Sequence, residues 1–441
     1  MTFLERFRRH LVSLPLPAGR ALVAVSGGPD SVALLDLLTA STDQHRFDLV
    51  VAHFDHGIHA ESGDVAARVH ALAESMGLPF EIARGELGPA AGETAARSAR
   101  YAFLGAARHR VGAASIFLAH HADDQAETVL MRLLAGSGPA GLAAMAPISG
   151  PLVRPLLPFR GAELARYVQD RALPVWLDPA NEDTRHQRAW LRTEVLPRLC
   201  DRLPNVHAAL IRTAAHARRD RRGWDALLDL LAELDVRPER EGISVAGNIL
   251  RGYDSALVES LMLAAARRVG CPVGPVRAAQ IAALLSDGES GSEMSLSGGW
   301  KVELSFGRLR LVRADSGVPP GGEWDIDGLR GEGQWGAWRL TWRLDAAPVH
   351  HERVGLTAWF TPDALTVRGW SAGERLRPLA GTGRRLVVRC FQESRVPRSR
   401  RAGWPVVADA AEVVWIPGVC RSDALLPPAG SEALRVDAEL S

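Results

Sequence analysis

The sequence predicts an α/β protein in three parts. An open parallel sheet covered by helices occupies residues 1–205, a small mostly helical domain residues 206–316, and a β-rich domain residues 317–441. Three observations predict it. Unbroken apolar runs alternate with helical patterns through about the first 175 residues. A Gly-Gly turn follows the first of these runs and opens a helix. After Gly317–Gly322 (Gly-Val-Pro-Pro-Gly-Gly, read as a linker) the chain is strand-like, Trp-containing and rich in arginine.

The elements follow in order. Phe3, Leu4, Phe7 and Leu11 recur at helical spacing in a charged N-terminal segment. The strand-like runs are Ala21–Val25, Asp48–Phe54, Pro79–Ala83, Ser115–Ala119 and Leu152–Leu157. Helical stretches lie between them: Ser31–Ala40, Gly63–Met76, Glu93–Val111, Asp124–Leu134 and Ala162–Asp170. Continuous apolar strands separated by helices are buried on both faces, which indicates a parallel sheet. Ligands of such sheets bind beyond the carboxyl ends of the strands, so chemistry should follow the strands. From Asn205 to Leu285 the pattern is helical with no strand run. Asp287–Gly299 is Gly/Ser-rich, and Lys301–Leu304 and Arg308–Val312 alternate.

Charge and cysteine usage exclude several classes. Lys+Arg is 52 against 51 Asp+Glu, a net charge of +1, so a uniformly basic coat is excluded while a basic patch on one face is not. Lys301 is the single lysine, which rules out lysine-based catalysis in the first 300 residues. Arginine suits bidentate contacts to phosphate. Cys200, Cys271, Cys390 and Cys420 form no CxxC, which argues against a zinc knuckle, a cysteine-held cluster or a disulfide scaffold and for small buried hydrophobes in a reducing cytosol. No signal-peptide pattern is visible, and no apolar run reaches the ~18 residues of a membrane span. A soluble, cytoplasmic protein without a membrane partner is expected.

Five segments carry chemistry. Ser26-Gly27-Gly28-Pro29-Asp30-Ser31 follows the first strand; its glycines let backbone N–H groups approach an anion and the helix start adds positive potential. Asp30 has the wrong sign for phosphate and suits Mg²⁺ or a cationic reactant; a plain helix cap is the alternative. His53-Phe54-Asp55-His56-Gly57-Ile58-His59 follows the second strand and reads as a polar strand end or as ordinary loop histidines. Arg97 and Arg100 share a helical face, able to grip phosphates or simply to be solvated. His120-His121-Ala122-Asp123-Asp124-Gln125-Ala126-Glu127-Thr128 puts Asp124 and Glu127 three apart on an opening helical turn. Acidic residues there also suit the helix dipole, but the density exceeds what capping needs. Arg154-Pro155-Leu156-Leu157, Asp178–Asp183 and the i, i+4 pair Arg188 and Arg192 form the fifth group.

Taken together these segments resemble the tRNA(Ile)-lysidine synthase family, within the PP-loop N-type ATP pyrophosphatases. Ser26–Ser31 looks like the pyrophosphate loop. The 120–128 run is close to the family's His-His-x-Asp-Asp-Gln-x-Glu-Thr signature, and Gly136–Leu142 continues it. Glu374-Arg375, Arg384-Arg385, Arg389 and Arg395–Arg401 resemble the family's C-terminal tRNA-binding domain. The chain departs from the pattern at His59 (usually Arg), Leu118 (usually Thr), Ala180 (usually Ser) and Glu374 (usually Asp).

The resemblance implies a Rossmann-like, adenine nucleotide alpha hydrolase-like PP-loop domain that ligates L-lysine to C2 of the wobble cytidine of tRNA(Ile) with a CAU anticodon. ATP adenylates the base, releasing pyrophosphate; lysine then displaces AMP, and codon reading changes from AUG to AUA. It implies ATP and Mg²⁺ as cofactors. ATP binding falls to Ser26, Gly27, Gly28, Pro29, Asp30, Ser31, His53 and Arg100, with Asp30 also for the metal. Catalysis falls to Asp30, Arg100, His120, Asp124, Glu127 and Arg192, and lysine recognition to Asp30, Asp124 and Glu127. Contacts to tRNA fall to Arg375, Arg384, Arg385, Arg389, Arg398, Arg400 and Arg401. A PP-loop tRNA thiolase and a catalytically inactive tRNA-binding relative are the alternatives; the first lacks cysteines before Cys200. The oligomeric state is not set by the sequence, a homodimer being one option.

Overall fold

The computed structural model describes residues 1–57, 62–85, 93–176, 187–313 and 322–440. These form two compact units, Met1–Gly223 and Trp224–Ser441.

The first unit begins with α1 (Phe3–Ser13), capped by Thr2 and Glu5 in a reciprocal box and burying Phe7 and Leu11. There follow β1 (Gly19–Ala24), α2 (Pro29–Thr39), β2 (Phe47–Asp55), α3 (Ser62–Ser75), β3 (Phe80–Arg84), α4 (Glu93–Arg110), β4 (Ser115–Phe117), α5 (Ala122–Leu134), α6 (Pro139–Leu142), β5 (Ile148–Ser149), β6 (Leu152–Val153) and α7 (Gly161–Asp170). Then come α8 (Gln187–Trp190), a π-helical turn (Leu191–Val195), α9 (Leu196–Arg202) and α10 (Val206–Leu230). The sheet order is β3-β2-β1-β4-β6-β5, parallel except for the β5–β6 pair.

Alternate residues of the strands feed two cores. Ala21 and Val23 of β1 and Leu49 and Val51 of β2 pack with α2, α3 and α7. Leu22, Val50 and Ala52 pack with Phe103, Leu104 and Ala107 of α4 on the opposite face. Helix α2 is apolar all round because it is buried all round: Leu34, Leu35, Leu37 and Leu38 are fully buried. Burial of each such side chain stabilises by about 1.5–3 kcal/mol, so Leu35→Ala would cost about 2–5 kcal/mol with its cavity. The strand expected over Leu152–Leu157 stops at Val153. Pro155 has no N–H to donate to a ladder, and the Arg154 amide turns to the Pro147 carbonyl instead.

The second unit holds the largest departure from the sequence pattern. The region expected to be mostly helical contains α12 (Ser255–Arg268) and α13 (Pro275–Asp287), preceded by the short α11 (Gly247–Leu250). It also contains a five-stranded antiparallel sheet. Its strands are β7 (Arg237–Glu239), β8 (Gly242–Ala246), β9 (Glu293–Ser295), β10 (Trp300–Ser305) and β11 (Arg308–Arg313). β8 is a strand because Ile243 and Val245 face Leu309 and Leu311 in one core. Ser244, fully buried, breaks the apolar run, and its hydroxyl and carbonyl take the Arg308 guanidinium. The β-rich region that follows is as expected. β12 to β22 (Trp324–Asp325 to Glu432–Leu440) build a five-stranded, a four-stranded and a two-stranded antiparallel sheet, the first two sharing Trp335, Leu340, Val367, Val407, Trp415 and Val436. Among the described residues, no helix is long and apolar enough to cross a membrane.

Candidate active site

Strand order places the site. β1 and β4 are parallel neighbours, and the order reverses direction between them. The segments leaving their carboxyl ends, 25–31 and 118–127, therefore open on the same edge of the sheet, at a topological switch point.

The first segment is a tight loop. Gly27 has φ +94°, and a Cβ there would meet Val65 Cγ1 at 2.9 Å and Trp176 Cε3 at 3.3 Å, so both conformation and space require glycine. The Gly27 carbonyl accepts the Trp176 amide at 3.0 Å. Gly28 is the N-cap of α2 and Pro29 its first residue. The Ser31 hydroxyl accepts the Ser26 amide at 3.1 Å and donates to the Gly28 carbonyl at 2.9 Å, with Ser26 Oγ 3.2 Å away. These bonds leave the Gly27 and Gly28 amides without an acceptor among the described residues. Buried His53 donates from Nδ1 to the Val25 carbonyl at 2.8 Å, holding the strand end in front of the loop; burial pushes its pKa down and keeps it neutral.

The second segment starts α5. His121 caps the helix: its Nδ1 accepts the Asp123 amide at 3.2 Å, while Asp124 Oδ2 accepts the His121 amide at 2.9 Å. His121 Nε2 lies 3.5 Å from Asp30 Oδ2 and 3.6 Å from Asp124 Oδ2. One imidazole edge thus joins the two segments. Burial works against protonation of His121, but Asp30 and Asp124 outweigh it and raise the pKa. His120 is the reverse: burial, opposed by Asp124 and aided by Arg154, Arg188 and Arg97, pushes it down to about 3.

The arginines come from a third segment. Arg188 donates from NH2 to Asp124 Oδ1 and from Nε to Glu127 Oε2, each at 2.7 Å. Arg192 donates from Nε to Glu127 Oε1 at 2.6 Å and from NH2 to Oε2 at 3.1 Å. Both can reach one carboxylate because Arg192 lies in the π-helical turn, where the Leu196 amide bonds back to the Leu191 carbonyl. Glu127 is 1% exposed and fully engaged by guanidinium. That differs from the expectation that it meets lysine directly: both its oxygens are occupied. Burial would raise the Asp124 pKa, but His121 and Arg188 hold it below the usual value.

Sequence reasoning missed a neighbouring group. Asp123 Oδ2 accepts the Gly161 amide at 2.7 Å; its Oδ1 lies 2.6 Å from Arg160 Nε and 3.2 Å from His207 Nδ1. A cavity of about 460 Å³ is lined by these residues with His121, Glu127 and Arg192. The adjacent carboxylates of Asp123 and Asp124 were the available signal; their partners lie too far along the chain to be read. Arg97 donates to the Tyr101 hydroxyl at 3.2 Å, and the Arg100 guanidinium lies over the Tyr101 ring, 5.7 Å from its centroid. Asp178–Asp183 and His59 lie outside the described residues.

Among the described residues no three His, Cys, Asp or Glu side chains are grouped to hold a metal by themselves. Mg²⁺ keeps waters and substrate phosphates as ligands and needs only one or two carboxylates. Asp30, partly exposed beside the loop, fits that demand.

Three of the seven arginines expected to meet tRNA are paired with carboxylates within the second unit. Arg384 meets Glu412 and Arg385 meets Glu393, each at 2.8 Å, and Arg400 bonds Glu239. Arg401 donates from Nε to the Val396 carbonyl, and the Arg398 amide bonds buried Glu303. Arg375 and Arg389 are exposed, and neither is ion-paired among the described residues.

Residues 3–199 match the PP-loop domain family, and residues 365–438 match the TilS substrate C-terminal domain. The tRNA(Ile)-lysidine synthase of Geobacter sulfurreducens is 34% identical over 95% of this chain and 93% of its own length. That of Symbiobacterium thermophilum is 32% identical over 99% and 98%. A third, from Novosphingobium aromaticivorans, is 41% identical over 54% of this chain and 73% of its own. The cleft is thus that of a PP-loop protein. Within that class, the chain belongs to the tRNA(Ile)-lysidine synthase family.

Proposed function

We propose that this chain ligates L-lysine to C2 of the wobble cytidine of tRNA(Ile) bearing a CAU anticodon, at the expense of ATP. The C2 oxygen of the base attacks the α-phosphorus and pyrophosphate leaves. The ε-amine of lysine then attacks C2, the C2–O bond breaks, AMP departs, and the amine loses a proton. The observation that carries this reading is the meeting of Asp30 and Asp124 at one edge of His121, beside amides without an acceptor among the described residues.

The residues divide the work. The Gly27 and Gly28 amides, at the start of α2, bind the departing pyrophosphate. Arg100 neutralises charge on the phosphates. Asp30 and Asp124 hold the lysine ammonium, and one of them takes the proton as the amine becomes nucleophilic. Glu127 acts through Arg188 and Arg192, which it orients toward the cleft. His120, neutral at physiological pH, contacts the adenylate without adding charge. Mg²⁺ would be held by Asp30 and would supply charge neutralisation at the phosphates.

The test is AMP formation from ATP and the CAU-anticodon tRNA, with and without lysine. Lysine-dependent AMP is expected, and Asp124→Asn should lose the lysidine product by at least about 100-fold. Turnover that requires a sulfur donor, or none at all, would overturn the reading.

A further inference from the structure

Helix α10 carries a stripe of cations in which Asp220 is the neighbouring acid and, among the described residues, no arginine is ion-paired. Arg212, His216 and Arg219 are spaced i, i+4, i+7 and lie on one exposed face, with Arg222 a further turn along. The opposite face is buried through Ala214 and Ala217. Two more guanidiniums flank the stripe. Arg218 donates to the Met145 carbonyl, and Arg132 donates to the Gly141 carbonyl at 2.5 Å. The first ties α10 to the segment after α6 and the second ties α5 to α6, and neither guanidinium gains a negative charge from its carbonyl partner. Among the described residues none of these arginines forms an ion pair with a carboxylate. Arginine presses on arginine instead: Arg221 beside Arg132, and Arg222 beside Arg218, together with burial lower the pKa values of Arg132 and Arg218.

Crowded like charges on an exposed face destabilise the free protein and favour a polyanion. The helix that carries the stripe also reaches the cleft, from another of its faces. The first turn of α10 supplies His207, which lies 3.2 Å from Asp123. From His207 to Arg222 the helix rises about 22 Å. An RNA loop whose base enters the cleft has its stem within that distance.

We propose that the exposed face of α10, through Arg212, Arg219 and Arg222, binds the phosphate backbone of the tRNA stem that adjoins the anticodon loop. The inference rests on the tRNA-modifying function above and adds a surface to it. Guanidinium contacts to phosphate fix register without reading sequence, so this face positions the RNA and leaves base choice to the cleft.

The test compares the full-length protein with the triple variant Arg212→Gln, Arg219→Gln, Arg222→Gln. Glutamine keeps helix propensity, and far-UV circular dichroism checks the fold. Affinity for the CAU-anticodon tRNA is measured across monovalent salt. The slope of log K against log salt should shrink by about 2–3, from roughly 0.7–0.9 per lost phosphate contact. The KM for tRNA should rise at least about tenfold at low salt, while kcat at saturating tRNA and the KM values for ATP and lysine stay unchanged. A folded variant with the wild-type slope and KM overturns the inference alone. A wild-type protein that neither binds nor turns over this tRNA overturns the function instead.

Discussion

Two arginine-dense stretches of this molecule have similar composition and differ in how far their charges are paired. In segment 384–401, Arg384, Arg385 and Arg400 each meet a carboxylate, and Glu303 accepts the Arg398 amide and the Ser399 hydroxyl from a fully buried position. On α10, Arg212, Arg219 and Arg222 meet none. Glu239 also pairs with Arg310 at 2.6 Å, so Arg400 belongs to a mostly buried triad that ties two parts of the second unit together. A count of positive charge therefore does not locate a binding surface. The field at a surface depends on what the charges are paired with, and those partners lie 8 to 161 residues away in sequence.

The cleft shows the paired case at its strongest and supplies the largest expected effect. Glu127→Ala would strip Arg192 of its bonded carboxylate and leave Arg188 with Asp124 alone. Removing one partner of a buried pair costs about 3–5 kcal/mol. The lower end is expected here, because Arg192 is nearly half exposed and water screens it. Lysidine formation should fall by at least about 100-fold, and urea unfolding of the first unit should report the lost stability. Wild-type turnover in this variant would mean that the arginines find their places without it.

His120 tests the same environment by pH. Its folded pKa is about 3, against about 6.5 in the unfolded chain, so the unfolded state binds more protons in between. Stability of the first unit should therefore fall as pH drops from about 6.5 toward 3, by at most about 1.4 kcal/mol per unit. In His120→Gln that slope should flatten between pH 7 and 5, leaving the part due to His53, whose pKa burial also lowers. Equal slopes in the two proteins would place the acid sensitivity elsewhere.

The smallest effect separates the two stretches directly. Arg400→Gln should lower the stability of the second unit by about 1 kcal/mol, since Glu239 keeps Arg310. The salt dependence of tRNA binding should stay at the wild-type slope. A slope reduced as far as in the α10 variant would erase the distinction between the stretches.

Much of the first unit was legible because its strands are continuous apolar runs and its functional segments follow them. Gly27, Asp30, His120, Asp124 and Glu127 announce themselves by density and by position after a strand. The roles of Arg160, His207 and Asp123 were not legible, because nothing local connects residues so far apart in the chain. β8 was missed for a different reason: Ser244 breaks its apolar run, and only the distant Arg308 makes a buried serine tolerable there. The capture of Glu127 by guanidinium was equally hidden, since an acidic residue at that position reads the same with or without a partner.

The wide turn at Leu191–Val195 adds a constraint of phase. Every side chain after it is rotated by the extra residue it accommodates. Deleting one residue there would restore an ordinary helix and swing α9 by about 100°. Leu196 would leave its contacts with Leu130 and Leu191, and Cys200 would turn away from the cavity it lines. Substitutions are thus far better tolerated in that turn than any change of length, and chain length between Arg188 and Leu196 is what a redesign of this cleft must keep.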